Sequence, residues 1–194
     1  QFLEEVLDEI KDNVKEGQIF ISIAPGKTLQ WLGEHLGEGT KIIRTMPNTP
    51  AMVGEGMTAL CVNDLVTEEE TALAVKLCNT FGKSEVIPEH LMDAVVGVSG
   101  SSPAYVFMFL EAMADAAVAD GMPRAQAYKF AAQAVLGSAK LMLETGKHPG
   151  ELKDMVCSPA GTTIQGVAAL EEYGFRNAVI KATDKCYEAC TKIK

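Results

Sequence analysis

The sequence predicts an α/β fold that passes into an all-α one, on three observations. Residues 1–88 alternate stretches of helical apolar spacing with short runs of β-branched residues, the pattern of a mostly parallel sheet flanked by helices. Strand signals stop after Pro88. From Leu91 onward the apolar residues keep helical spacing over stretches much longer than a strand. The 194 residues are enough for one or two hydrophobic cores. A hydrophobic content of 47% with only 6% aromatics, rich in Ala, Leu, Val and Met, suits packed helices.

Taken in order, residues 1–16 carry Phe2, Leu3, Val6, Leu7, Ile10 and Val14 at helical spacing opposite an acidic face, and Gly17 ends that helix. QIFISIA (18–24) is a short glycine-bounded run that reads as a buried strand, turned by Pro25 and Gly26. A helix follows from Thr28 to Leu36 and ends at Gly37. KIIRTM (41–46) is a second buried strand, stopped by Pro47 and Pro50, and MTALCVN (57–63) is a third. The helix of residues 67–82 opens on Thr67, Glu68, Glu69 and Glu70, a capping box that also suits the helix dipole. SEVIP (84–88) is the fourth strand. The domain boundary is expected between Pro88 and Ser99, giving domains 1–90 and 91–194. Beyond it, residues 103–121 and 123–146 are too apolar to face water and are expected to be buried helices. Residues 162–173 and 175–192 complete the helical half. So much apolar helix exceeds what one small bundle covers, which predicts a homodimer, with a self-contained bundle as the plainer alternative.

The net charge of −9 argues against nucleic acid as a partner, since phosphate neutralisation needs clustered Lys and Arg. No uninterrupted apolar run reaches the roughly 20 residues that span a bilayer, and no signal peptide is visible, so a cytoplasmic protein with no membrane partner is expected. The five cysteines are odd in number and irregularly spaced, which reads as reduced thiols. Cys186 and Cys190 share a helix face with no histidine nearby, so no metal site is expected.

The chemistry-bearing segments are loops. HPGELKDMVCSPAGTTIQG, His148 to Gly166, reads as a loop between a helix ending at Gly146 and one beginning near Thr162. Its segment Ser158–Gly166 places Gly161, Thr162 and Thr163 at a helix N-terminus, where free N–H groups and hydroxyls suit a carboxylate or phosphate. An ordinary N-cap is the competing reading. TMPNTPAMVGEG (45–56) and SIAPG (22–26) each follow a strand, where α/β domains bind ligands, and Asn48 offers an amide. A rigid proline loop is the alternative. VSGSSPAYVF (98–107) opens the long helix with glycine and serines, as a linker and cap or as a ligand contact. The three histidines are scattered and form no hydrolytic pattern, and Lys153–Asp154 reads as a solvated pair in the loop. GxGxxG is absent. With the uncapped helix at Gln1, this places the first half of a doubly wound, Rossmann-type domain upstream of the sequence.

RTMPNTPAMVGEG, VSGSSPAYVF, DGMPRAQA, HPGELKD, SPAGTTIQG and LEEYGFRNAV, in this order, resemble pyrroline-5-carboxylate reductase over essentially the whole chain. The resemblance implies a partial Rossmann-type doubly wound sheet followed by a helical dimerisation domain. It implies hydride transfer from NADPH or NADH to the C=N carbon of 1-pyrroline-5-carboxylate, giving L-proline. Carried over by position, Ser158, Gly161, Thr162 and Thr163 bind the substrate carboxylate, and Thr163 also hydrogen-bonds the ring nitrogen. Ile23, Ala24, Pro25, Met46, Pro47 and Asn48 line the nicotinamide side, and Glu89 lies near the substrate. The chain departs from the family pattern at Ala160 and Ser102, each in place of glycine, and at Pro25, in place of alanine. Two other readings stand beside it. One is a hydroxyacid-type dehydrogenase, which would place a catalytic lysine in a long helix, where only Lys129 and Lys140 occur in no such motif. The other is a dimerising module without catalysis.

Overall fold

The computed structural model describes residues 2–193; Gln1, where the first helix is expected to begin, and Lys194 lie outside them. The chain divides into two compact units, Gln1–Pro103 with Ala182–Lys194, and Ala104–Lys181.

The first unit is built on a sheet of order β1-β2-β3-β4, formed by Ile19–Ser22, Lys41–Met46, Gly56–Val62 and Gly82–Val86. Helices α1 (Leu3–Ile10), α2 (Leu29–Leu36) and α3 (Glu68–Cys78) accompany it. β1 and β2 are parallel, with α2 as their crossover, and β3 and β4 are parallel, with α3 between them. β2 and β3 are antiparallel. The reversal follows from the two-proline segment, which folds into a single 3-10 stretch, Thr49–Val53, closed by Gly54 at φ 78°. Such a short connection can join only antiparallel strands.

β2 explains the core. Its residues Ile42 to Met46 are all buried, so both faces of the strand are covered and the sequence shows a continuous run instead of alternation. Ile42 packs against Leu7, Leu32 and Leu36 of α1 and α2. Ile43 packs with Leu60 against Ala74 and Cys78 of α3. Met46, Ala59 and Cys61 receive Met92. One buried position breaks the apolar pattern: Arg44, 2% exposed.

Local signals set most boundaries. Thr28 accepts the Trp31 N–H at 3.0 Å and starts α2, and Gly37 at φ 102° ends it. Thr67 and Glu70 close both bonds of the capping box on α3. At the start of β4, Gly82 lies so close to β3 that a Cβ there would fall 2.0 Å from the Gly56 carbonyl oxygen. β4 therefore begins two residues before the segment the sequence suggests. α1 is shorter than expected, giving way after Ile10 to a 3-10 turn, Lys11–Asn13.

The segment expected as a domain boundary is helical. A 3-10 turn Glu89–Leu91, α4 (Met92–Val95) and a π-helical turn Val96–Gly100 run into α5 (Ser102–Ala119). Gly97 permits a close approach by the final helix: a Cβ would meet Thr183 Cγ2 at 2.9 Å and its carbonyl oxygen at 3.0 Å. That contact, and Cys190 on Asp93, are why Ala182–Lys194 belongs to the first unit. By compactness the units divide at Pro103.

The second unit contains most of α5, then α6 (Arg124–Thr145), α7 (Pro149–Val156), α8 (Thr162–Glu172) and the first part of α9 (Phe175–Thr191). The stretch from His148 to Gly166 is not one loop. His148 caps α7, its Nδ1 accepting the Gly150 N–H at 3.1 Å, and Pro149 takes the first helical position. Lys153 and Asp154 therefore pair on a helix. The burial expected of α5 and α6 is not met within one chain. Phe107 is 64% exposed, Phe130 67% and Leu143 84%. The helical run Glu89–Ala119 is also long and apolar enough to cross a membrane by length and composition. The sequence reading misses this because Gly97 to Pro103 looks like an interruption.

Thr67→Ala removes the acceptor for the Glu70 N–H. It is expected to lower stability by about 1 kcal/mol, read as a lower urea midpoint with an unchanged slope.

Candidate active site

Because β1 and β2 are parallel with Ser22 beside Arg44, their carboxyl ends lie side by side. Two loops leave that edge, as ligand loops do in open α/β sheets. The structure brings Ile23, Ala24 and Pro25 next to Met46, Pro47 and Asn48 in this way. The two strand ends are tied: Thr45 Oγ1 donates to the Ser22 carbonyl at 3.1 Å, and the Ala24 N–H donates to Ser22 Oγ at 3.3 Å. Ile23 is left 67% exposed, an apolar side chain held open at the sheet edge. Met52 and Val53, on the 3-10 stretch, are exposed as well.

Asn48 uses its amide within the protein. Its Nδ2 donates to the Ser99 carbonyl at 3.2 Å and to Ser99 Oγ at 3.3 Å. Its Oδ1 accepts the Met57 N–H at 2.9 Å. The side chain thus locks the proline loop to β3 and to the π-helical turn.

Glu89 is also engaged. Its Oε1 accepts the Leu29 N–H at 2.6 Å and Arg44 Nη1 at 3.2 Å. Arg44 Nη2 reaches Asp93 Oδ1 at 3.4 Å. Sequence reasoning gave Arg44 and Asp93 no role and read Ser99 only as part of the serine-rich opening of the long helix. The signal was present for Arg44, an arginine inside the apolar run IIRTM, because a buried charge demands partners.

In the second unit, Ser158, Gly161, Thr162 and Thr163 come together at the start of α8. Gly161 is the N-cap residue and no side chain caps the helix, so the ordinary-cap reading finds no bond here. The first-turn amides stay open and carry the positive end of the helix dipole. The turn is closed by the Gly161 N–H donating to the Ser158 carbonyl at 3.0 Å. The turn is tight: a Cβ on Gly161 would lie 2.3 Å from Ser158 Oγ and 3.1 Å from the Ser158 carbonyl oxygen, so a larger residue there would have to turn the Ser158 side chain away. Ala160 sits at φ 59°, the one non-glycine residue with positive φ among those described.

The cysteines form no disulfide among the described residues, and buried Cys61, Cys78 and Cys190 are ill-suited to nucleophilic chemistry. Burial pushes the Cys61 thiol up to about 11, helped by the charge of Glu89 and opposed by Arg44. It is protonated, and so unreactive, at neutral pH.

With this geometry in place, comparison with known proteins identifies the relatives. The family model described as pyrroline-5-carboxylate reductase dimerisation matches residues 89–193. The chain is 62% identical over 188 residues to the pyrroline-5-carboxylate reductase of Escherichia coli (strain K12), covering 97% of this chain and 70% of that one. It is 48% identical over 192 residues to the reductase of Methanosarcina acetivorans, covering 97% and 71%. Among solved structures, the Plasmodium falciparum pyrroline carboxylate reductase with NADP bound superposes with a TM-score of 0.92 at 32% identity, covering 98% of this chain and 77% of that one. A mixed sheet followed by a helical dimerisation region defines an oxidoreductase of the dinucleotide-binding class. The chain belongs to the pyrroline-5-carboxylate reductase family. The match to the family's dimerisation region supports a homo-oligomer, and α5 and α6 leave large apolar side chains exposed.

An alanine at φ 59° costs about 1 kcal/mol or more relative to glycine. Ala160→Gly is therefore expected to stabilise the loop before α8 by about that amount, read as a raised thermal midpoint.

Proposed function

We propose that the chain reduces 1-pyrroline-5-carboxylate to L-proline at the expense of NADPH or NADH, the last step of proline synthesis. The observation that carries this reading is the uncapped N-terminus of α8, closed by Ser158 and Gly161, in a member of this family.

The residues at the carboxyl ends of β1 and β2 fit the nicotinamide end of a dinucleotide. Exposed Ile23, with Ala24 and Pro25, gives an apolar lip on one side. Met46, Pro47 and the locked backbone at Asn48 give the other. No GxGxxG occurs in the sequence, so these residues do not supply a pyrophosphate cradle. When bound, the nicotinamide supplies the hydride that ends on the C=N carbon.

The protein's own share is binding and orientation. The amides of Gly161, Thr162 and Thr163, with the Ser158 and Thr162 hydroxyls, hold the substrate carboxylate. The dipole of α8 favours that charge. The Thr163 hydroxyl hydrogen-bonds the ring nitrogen. A cyclic imine is basic and arrives protonated, so no strong acid is required. This agrees with the absence of a histidine or lysine in the proposed residue set. The helical region supplies the oligomer, and five free thiols suit a reducing, cytoplasmic setting.

Two measurements test the reading. NAD(P)H oxidation by the reductase expressed from its complete reading frame should require pyrroline-5-carboxylate; activity with a β-hydroxyacid and none with the imine would overturn it. Thr163→Ala should lower kcat on the order of 10²-fold while sedimentation shows an unchanged oligomer. Unaltered kinetics would remove Thr163 from the site.

A further inference from the structure

The mechanism leaves a buried charged cluster unused. The Arg44 side chain is 3% exposed and spans two carboxylates, Glu89 at 3.2 Å and Asp93 at 3.4 Å, on successive turns of one helical segment. Each carboxylate holds a second element. Glu89 Oε1 also takes the Leu29 N–H at 2.6 Å, at the first turn of α2. Asp93 Oδ1 also takes the Cys190 thiol at 3.5 Å, near the end of α9, and Cys190 is 2% exposed. Just past the end of α9, Ile193 covers Gly26: a Cβ added there would lie 3.0 Å from Ile193 Cβ and 3.3 Å from the Ile193 carbonyl oxygen. Gly26 stands at φ 75° and is buried.

The loop after β1 is therefore gripped at both ends, by Ile193 at Gly26 and by Glu89 at Leu29. Both grips lead back to Arg44. Arg44 itself lies on β2, two residues before Met46, so a single guanidinium sets the spacing between the two loops of the sheet edge.

We infer that Glu89 and Cys190 are positioning residues for the dinucleotide, acting through the β1–α2 loop and not by touching the substrate. The inference rests on the reading of residues 23–25 and 46–48 as the nicotinamide side. Glu89 Oε1 is shared between an amide and a guanidinium, a role distinct from the substrate contact that the family resemblance implies for Glu89. The Cys190 thiol lies between Asp93 and the Gly26 backbone, and burial, together with the neighbouring Asp93 charge, keeps it protonated and able to donate.

The test uses Glu89→Gln and Cys190→Ala in the reductase expressed from its complete reading frame. Glu89→Gln keeps an acceptor for Leu29 but removes the charge facing Arg44. Three quantities are read: the Kd for NADPH by fluorescence titration without imine, amide exchange at residues 24–29 without cofactor, and KM for the imine. Both variants should weaken NADPH binding about tenfold and speed exchange at Gly26 and Leu29, with KM for the imine unchanged. Cys190→Ser, which retains a donor to Asp93, should restore slow exchange. A rise in the imine KM with unchanged NADPH binding would overturn the inference. So would a lower thermal midpoint with exchange and Kd both unchanged, since that is a purely structural role. Should Glu89→Gln not fold, the Cys190 pair carries the same outcomes. Wild-type protein that neither binds NADPH nor reduces the imine overturns the functional reading itself, whereas wild-type binding with unaffected variants overturns only the inference.

Discussion

The first unit depends on one arrangement, an arginine taken out of water in the middle of a β-strand. Burying Arg44 without partners would cost several kcal/mol, so its presence dictates where the helical segment after β4 must lie. Glu89 and Asp93 are delivered by that segment at 3.2 and 3.4 Å, and Met92 between them fills the apolar space over Met46, Ala59 and Cys61. The same two carboxylates then collect the start of α2 and the end of α9. Sequence-distant pieces are thus registered against β2 by charge and hydrogen bonds, while apolar packing supplies the bulk of the cohesion.

Much of the fold was legible because its signals are local. Lys41–Met46 reads as a strand from its β-branched run and flanking proline, Thr28 and Gly37 bracket α2, and Thr67 with Glu70 marks the start of α3. What escaped has non-local causes. The antiparallel turn between β2 and β3 depends on a 3-10 segment that no apolar period announces. The helix α7 is short, and its start at Pro149 looks like a loop proline unless His148 is read as the cap. Gly97, Ser99 and Gly100 resemble a linker, yet Gly97 is small because Thr183 lies against it, a contact 86 positions away in the chain.

The candidate site was legible in a similar, partial way. The open amides before Thr162 and the two loops after β1 and β2 follow from strand and helix ends. The tasks of Asn48 and Glu89 do not, because an amide or carboxylate in a sequence carries no mark of whether its bonds go inward or toward a ligand. Here they go inward, to Ser99 and Met57 in one case and to Leu29 and Arg44 in the other. The proposed ligand surfaces are accordingly built from backbone, hydroxyl and apolar groups, which places the burden of precision on how rigidly the loops are held.

The apolar side chains standing open on α5 and α6 carry a consequence for folding itself. A helix pair that exposes Phe107, Met108, Phe130 and Leu143 leaves much of its hydrophobic free energy ungained within one chain, in a family with a dimerisation region. For such a unit, intrinsic stability is not a property of one polypeptide, because folding and association share one equilibrium governed by mass action. Dilution then acts on such an oligomer as a denaturant does.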